Sequence, residues 1–257
     1  MKKMVLAAAV LAVMSSTSVM AKEWKQIRIG VEGAYPPFSW TEPSGEVKGF
    51  DIDMANALCA EMKAKCTLVK QDWDGMIPAL MSRKFDAIIA TMDITEERKQ
   101  KVDFSQKYQH VPASFAAKKG TELKLDKEFM NGKVVGVQRA TSMDSYITDN
   151  FPNATIKRYG TYDEAYLDLK AGRLNYVLAD SAALESGLFQ KEGGDAYAFV
   201  GPKLSDPKWF GEGAGIAVRK ADKDLKEQFN KAILALRANG KYKEINDKYF
   251  KFDVYGN

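Results

Sequence analysis

The chemistry-bearing residues of this chain concentrate in the stretch Phe85-Asp86-Ala87-Ile88-Ile89-Ala90-Thr91-Met92-Asp93-Ile94-Thr95-Glu96-Glu97-Arg98. An apolar run of strand type breaks at Thr91 into small and polar residues. A helix then restarts, with Thr95 as its N-cap and Glu96 and Glu97 in the first turn, where the helix dipole favours negative charge. A strand that empties into a helix start brings free backbone N–H groups, a hydroxyl and the Arg98 guanidinium together, and that combination suits a carboxylate. Arg98 is planar, permanently charged and able to bond a carboxylate through two parallel N–H groups. It could equally be a surface arginine pairing with Glu96 or Asp103. Asp93 could cap the same helix with Glu96 at the third position. Asp180 follows a second apolar run and precedes Ser181-Ala182-Ala183, so it could cap a helix or face a ligand.

These residues need strands to carry them. Ile27-Arg28-Ile29-Gly30-Val31 reads as a first strand, running into a loop with Glu32, Pro36 and Pro37. Residues 51–63 have helical spacing, with Ile52, Met54, Ala55, Leu58 and Met62 near one face. A strand over 67–70 follows, then a helix over about 74–83. Alternating strands and helices imply an α/β fold of parallel sheets with helices on both faces. Residues 74–91 also align without gaps on 163–180, with Leu80/Leu169, Phe85/Leu174, Ile88/Val177 and Ala90/Ala179 in register. Ile29-Gly30-Val31-Glu32 likewise matches Val135-Gly136-Val137-Gln138, in the same order in both halves.

Two similar lobes are therefore expected, although any two βαβ units share some likeness. Four strand ends, at Glu32, Thr91, residues 138–141 and Asp180, would face one crevice, since ligands of open parallel sheets bind beyond the strands' carboxyl ends. Crossings between lobes are expected over 107–112 and near Phe210-Gly211-Glu212-Gly213-Ala214-Gly215, where glycines permit angles that other residues resist. The terminal helices, over 222–239 and 241–251, would return to the first lobe. The expected division is 22–109 plus 213–257 for lobe 1 and 110–212 for lobe 2.

Residues 1–21 have the layout of an export signal: Lys2 and Lys3, an apolar centre over 5–14, and Val19-Met20-Ala21 before the cleavage point. No later segment approaches the roughly 20 apolar residues needed to span a bilayer. The 38 basic and 34 acidic residues are scattered without single-sign blocks, which argues against a nucleic-acid partner. Cys59 and Cys66 are the two cysteines; in an exported protein such a pair reads as a disulfide. Metal binding is the weaker reading, because the single histidine, His110, is far off in sequence and two thiolates alone make a poor zinc site. No cofactor or metal is expected.

Gly49-Phe50-Asp51-Ile52-Asp53, Asp86-Ala87-Ile88, Ile94-Thr95-Glu96-Glu97-Arg98, Gly172-Arg173-Leu174 and the closing Lys248-Tyr249-Phe250-Lys251-Phe252-Asp253-Val254-Tyr255-Gly256 resemble periplasmic amino-acid-binding proteins of ABC importers. The likeness is to the lysine/arginine/ornithine- and histidine-binding branch, with arginine/ornithine and opine binders. It covers nearly the whole chain after residue 21 and includes the Cys59/Cys66 spacing. The resemblance implies two α/β lobes that close over a small ligand and then dock, as a monomer in the periplasm, on a membrane permease. By position, Arg98 corresponds to the arginine that holds the ligand α-carboxylate, and Asp180 to the acid that receives its α-ammonium. Thr91 and Ser142 correspond to hydroxyls on the carboxylate; Tyr35 and Trp73 pack the side chain, and Glu32 lies near the far end. With Ala90 and Asp93 these make the expected ligand set.

Branch members often carry Asp at Glu32, leucine or phenylalanine at Trp73, and Ser or Thr at Asp93, so the departures fall where side-chain choice is tuned. Glu32 and Asp93 together would favour a distal cation, and the aromatic faces of Tyr35 and Trp73 a guanidinium. A basic L-amino acid is expected, arginine ahead of ornithine, lysine and histidine, with an opine as the alternative. An exported enzyme on the same fold, such as a cyclohexadienyl dehydratase, would need a poised acid and base. No nucleophile–base constellation is visible in the sequence, so the protein is expected not to be an enzyme.

Overall fold

The computed structural model describes residues 24–256. The expected export signal lies outside them. The chain starts with β1 (Gln26–Val31), makes a small three-stranded ribbon of β2 (Ala34–Tyr35), β3 (Ser39–Thr41) and β4 (Val47–Lys48), and enters α1 (Phe50–Glu61). Then come β5 (Lys65–Lys70), α2 (Met76–Met81), β6 (Ala87–Ile88), α3 (Glu96–Lys99) and β7 (Asp103–Gln109). The second lobe follows with β8 (Ala113–Lys118), β9 (Val134–Gln138), α4 (Ser142–Asn150), β10 (Thr155–Tyr159), α5 (Tyr162–Lys170), β11 (Tyr176–Asp180), α6 (Ser181–Leu184), β12 (Tyr197–Leu204) and α7 (Pro207–Phe210). The chain returns through β13 (Ala214–Val218), α8 (Lys223–Ala238) and α9 (Lys241–Tyr249).

The two lobes share one topology. Their five-stranded sheets run in the order β5-β1-β6-β13-β7 and β10-β9-β11-β8-β12. In each, the first three strands are parallel, as the sequence alternation implies, and end at the cleft. The fourth strand is antiparallel to both its neighbours. The wholly parallel sheets expected from sequence are thus mixed ones. The reason lies in the crossings: β8 and β13 enter their lobes from the cleft, so they run opposite to strands that finish there.

Local sequence explains the repeat. Gly30 in β1 and Gly136 in β9 occupy equivalent places. A Cβ at Gly30 would meet the Phe85 ring at 2.7 Å, and one at Gly136 would meet Leu174 Cδ1 at 2.5 Å. Phe85 and Leu174 are themselves partners in the 89-residue register. Each glycine lets the apolar residue before the next strand press against the sheet.

The crossings are short. One is His110-Val111-Pro112, between β7 and β8; the His110 N–H donates to the Val254 carbonyl at 2.7 Å, tying the tail to it. The other centres on Gly211-Glu212-Gly213. Gly213 has φ +124°, and a Cβ there would lie 2.6 Å from the carbonyl oxygen of Gln109, the last residue of β7 before the first crossing, so only glycine fits. The terminal helices pack on lobe 1, where Phe250 meets Phe50 at 5.2 Å and the Tyr242 hydroxyl donates to the Tyr108 carbonyl. Cys59 and Cys66 form the expected disulfide between α1 and the start of β5.

Candidate functional site

The carboxyl ends of β1, β6, β9 and β11 converge on a small cavity between the lobes. Glu32, Tyr35, Trp73, Ala90, Thr91, Asp93, Arg98, Ser142 and Asp180 all line it. So do Gln138, Thr141, Met143 and Tyr162. Residues 138–141 were legible as a strand end, but Met143 and Tyr162 were not singled out. The repeat carried the signal for Tyr162, because the 89-residue register places it opposite Trp73.

Arg98 sits in α3, whose N-cap is Thr95: the Thr95 hydroxyl accepts the Arg98 N–H at 3.3 Å. The Arg98 side chain is buried, at 8% exposure. Its Nη1 donates to the Asp93 carbonyl at 3.0 Å and its Nη2 to the Ala140 carbonyl at 3.4 Å, while the guanidinium lies 5.3 Å from the Trp73 ring centre. No ion pair among the described residues involves Arg98, which rules out the surface-pair reading. A buried guanidinium bonded to carbonyls keeps its charge available for an anion. Opposite it is the first turn of α4, capped by Thr141, whose hydroxyl accepts the Asp144 N–H at 3.2 Å. The N–H groups of Ser142 and Met143 start this helix and have no intrahelical partner, as in any first turn.

Asp93 does not cap α3. Its carboxylate accepts the Ser142 hydroxyl across the cleft. Burial pushes its pKa up, opposed by Arg98, Ser142 and His110. Asp93 therefore sits at the Arg98 end. The expected pairing with Glu32 at a distal end is corrected: the charges that bear on Glu32 are Asp51, Asp72 and Asp163.

Asp180 occupies the N-cap position of α6 without a side-chain capping bond. It faces the other lobe instead, where the Tyr35 hydroxyl donates to its carboxylate at 2.7 Å. Burial and then the neighbouring Asp93 hold its pKa well above the ordinary range, against the opposing Tyr35 bond.

Thr91 is in the left-handed region at φ +50°. Its N–H donates to the Tyr108 hydroxyl at 2.9 Å, and its hydroxyl donates to Asp51 at 2.9 Å. Tyr108 in turn donates to the other Asp51 oxygen at 2.7 Å. Asp51 is fully buried, and burial raises its pKa to about 7 despite these bonds. This corrects the expected role of Thr91. Its one hydroxyl proton is already given to Asp51, so it offers a ligand lone pairs, which suit an ammonium better than a carboxylate.

At the far end Glu32 accepts the Gln138 amide N–H at 2.6 Å, and burial raises its pKa to about 7. Aromatic walls flank it: Tyr35 stacks on Tyr162 at 5.3 Å, and Trp73 Nε1 donates to the Ala140 carbonyl at 3.2 Å. The lining thus carries three carboxylates, Glu32, Asp93 and Asp180, against one cation, Arg98. Histidine, cysteine and lysine are missing from the residues described around it, and among the described residues no cluster of metal-ligating side chains occurs.

The family described as bacterial extracellular solute-binding proteins, family 3, matches residues 27–252. The chain belongs to that family. This solute-binding protein is 52% identical to the L-arginine-binding protein of Pseudomonas aeruginosa, over 100% of this chain and 99% of the other. It is 38% identical to the lysine/arginine/ornithine-binding periplasmic protein of Escherichia coli, over the full length of both. Among solved structures, a Salmonella typhimurium periplasmic binding protein of high arginine specificity superposes with a TM-score of 0.81 at 35% identity, covering 88% of this chain and 100% of that one. The two-lobed architecture of this solute-binding protein is thus that of known amino-acid-binding proteins, and these relatives bind rather than transform their ligands in the names they carry.

Proposed function

We propose that this protein captures a basic L-amino acid, arginine ahead of ornithine, lysine and histidine. The observation that carries the reading is the charge of the cavity, two buried carboxylates, Glu32 and Asp180, and a half-buried third, Asp93, around one buried guanidinium. A basic amino acid brings two cations and one carboxylate, which pair with two of these carboxylates and the guanidinium and leave one carboxylate over. Its α-carboxylate would meet Arg98 and the first N–H groups of α4. Its α-ammonium would meet Asp180 and the Thr91 lone pairs, and its distal cation Glu32, between Trp73, Tyr35 and Tyr162. The names of the relatives support the same ligand class. An opine adds a second carboxylate to a lining with a single cation, which ranks it below arginine.

Capture would work by closure, because only the closed form offers contacts from both lobes. In this proposal the protein is exported by removal of residues 1–21, acts as a monomer in the periplasm with lobes 22–109 plus 213–257 and 110–212, and delivers its ligand to the permease of an ABC importer. Calorimetric titration of refolded protein with a panel of L-amino acids and opines tests it. Tight binding confined to basic amino acids supports the reading. Preference for neutral ones sinks it, and turnover of a bound compound would point to an enzyme.

A further inference from the structure

The proposed ligand pairs leave one carboxylate over. Arg98 takes the ligand carboxylate, Asp180 the ammonium and Glu32 the distal cation. Asp51 lies beneath, satisfied by the Tyr108 and Thr91 hydroxyls. The Asp93 carboxylate makes no direct ion pair among the described residues; Arg98, the cation that bears on it most, is the one assigned to the ligand carboxylate. Its carboxylate touches the Ser142 hydroxyl at the start of α4, the helix N-terminus that also faces the ligand carboxylate, and its backbone carbonyl is held by Arg98 at 3.0 Å. An ionised Asp93 there would repel the ligand carboxylate, and closure, which shields the half-buried Asp93 from water, makes neighbouring like charges costly.

We propose that Asp93 is a proton-carrying specificity residue: in the closed complex its carboxyl is protonated and donates a hydrogen bond at the ligand's carboxylate end. The inference rests on the site reading given above. The charged groups that bear on Asp93 are Arg98 from α3, His110 from the first crossing and Asp180 from β11. Arg98 and His110 favour its ionised form, Asp180 and burial its neutral form, and burial is the largest influence. Opening the lobes exposes Asp93 to water, where a carboxyl ordinarily titrates near 4. Closing over a ligand therefore takes up a proton at any pH between that range and the value reached in the complex. Within the window, affinity rises as pH falls, by up to about tenfold per pH unit.

The test is titration of the whole protein with L-arginine between pH 6 and 8, in buffers of differing ionisation enthalpy, which counts protons exchanged per ligand bound. Wild type is expected to take up more protons than Asp93→Asn, by up to one per ligand bound, and Asp93→Asn to bind more tightly than wild type at pH 8. Asp93→Ser, which removes the charge differently, should share both changes. Equal proton counts in wild type and both Asp93 variants would overturn the proposal while leaving the site reading intact. So would a tenfold or greater loss of affinity in both variants at every pH, because it would mean that the ionised carboxylate itself holds the ligand. Failure of wild type to bind any basic amino acid would overturn the site reading and this proposal with it.

Discussion

The Tyr35 hydroxyl donates to the Asp180 carboxylate at 2.7 Å and accepts the Asp180 N–H at 3.2 Å, joining residues 145 positions apart and on opposite lobes. Both are buried. The pair fixes the orientation of the carboxylate and exists only when the lobes are together, so it couples closure to the proposed ammonium site.

Tyr35→Phe should keep the stacking on Tyr162 and lose this bond. Hydrogen bonds to charged groups contribute about 1.5–3 kcal/mol, which corresponds to roughly ten- to hundredfold weaker ligand binding. Calorimetry on the variant, with a melting curve showing an intact fold, checks it; unchanged affinity would mean that closure does not depend on the pair.

Arg98→Ala should weaken binding by about 2–5 kcal/mol, the usual cost of stripping one partner from a buried charge pair. Arg98→Lys should recover little of it. An ammonium cannot make the two parallel bonds, nor lie flat over Trp73 while bonding the carbonyls of Asp93 and Ala140. Equal affinity of the lysine variant and wild type would count against carboxylate recognition at Arg98.

Asp51 gives a pH dependence of a different kind. Burial raises its pKa to about 7 in the folded protein, above the ordinary value near 4 in the unfolded chain. A carboxyl shifted this way contributes stability fully below about pH 4 and loses it as pH rises towards 7, on the order of 3 kcal/mol over the range. Without ligand, Asp51→Asn should therefore show a flatter fall of melting temperature between pH 5 and 7 than wild type. Parallel curves would show that Asp51 ionises freely in the fold.

The disulfide should matter for stability and not for binding. It closes a loop with a sequence separation of 7 at the start of β5, where Lys65 pairs with Gln26, the end of the sheet away from the cleft. Loop entropy assigns it about 2.5 kcal/mol. Replacing both cysteines by alanine should lower the unfolding free energy by about that amount in denaturant melts and leave ligand affinity unchanged.

Much of this was legible in the sequence because the two halves repeat. Gly30 and Gly136, Phe85 and Leu174, and Thr91 and Asp180 keep equivalent places, so periodicity fixed both sheets and the four strand ends that meet at the cavity. What the sequence hid was direction and partnership. That β8 and β13 run against their neighbours follows from where the crossings enter, which no local pattern records. That Asp93 reaches Ser142 rather than Glu32, and that Thr91 gives its proton to Asp51, depends on contacts 49 and 40 residues away. Asp51 itself, read only as part of a helix and a family motif, proved to be the buried acid beneath the site.

The central claim is that an acidic cavity selects a cation at the ligand's far end. L-Arginine and L-citrulline differ there in little but charge, a guanidinium against a neutral urea of the same shape. Titrating both into wild type and Glu32→Gln tests it most directly. The structure predicts that wild type prefers arginine by at least about a hundredfold, the scale of a buried charge pair, and that Glu32→Gln loses most of that preference. Comparable affinity of wild type for the two ligands would contradict it.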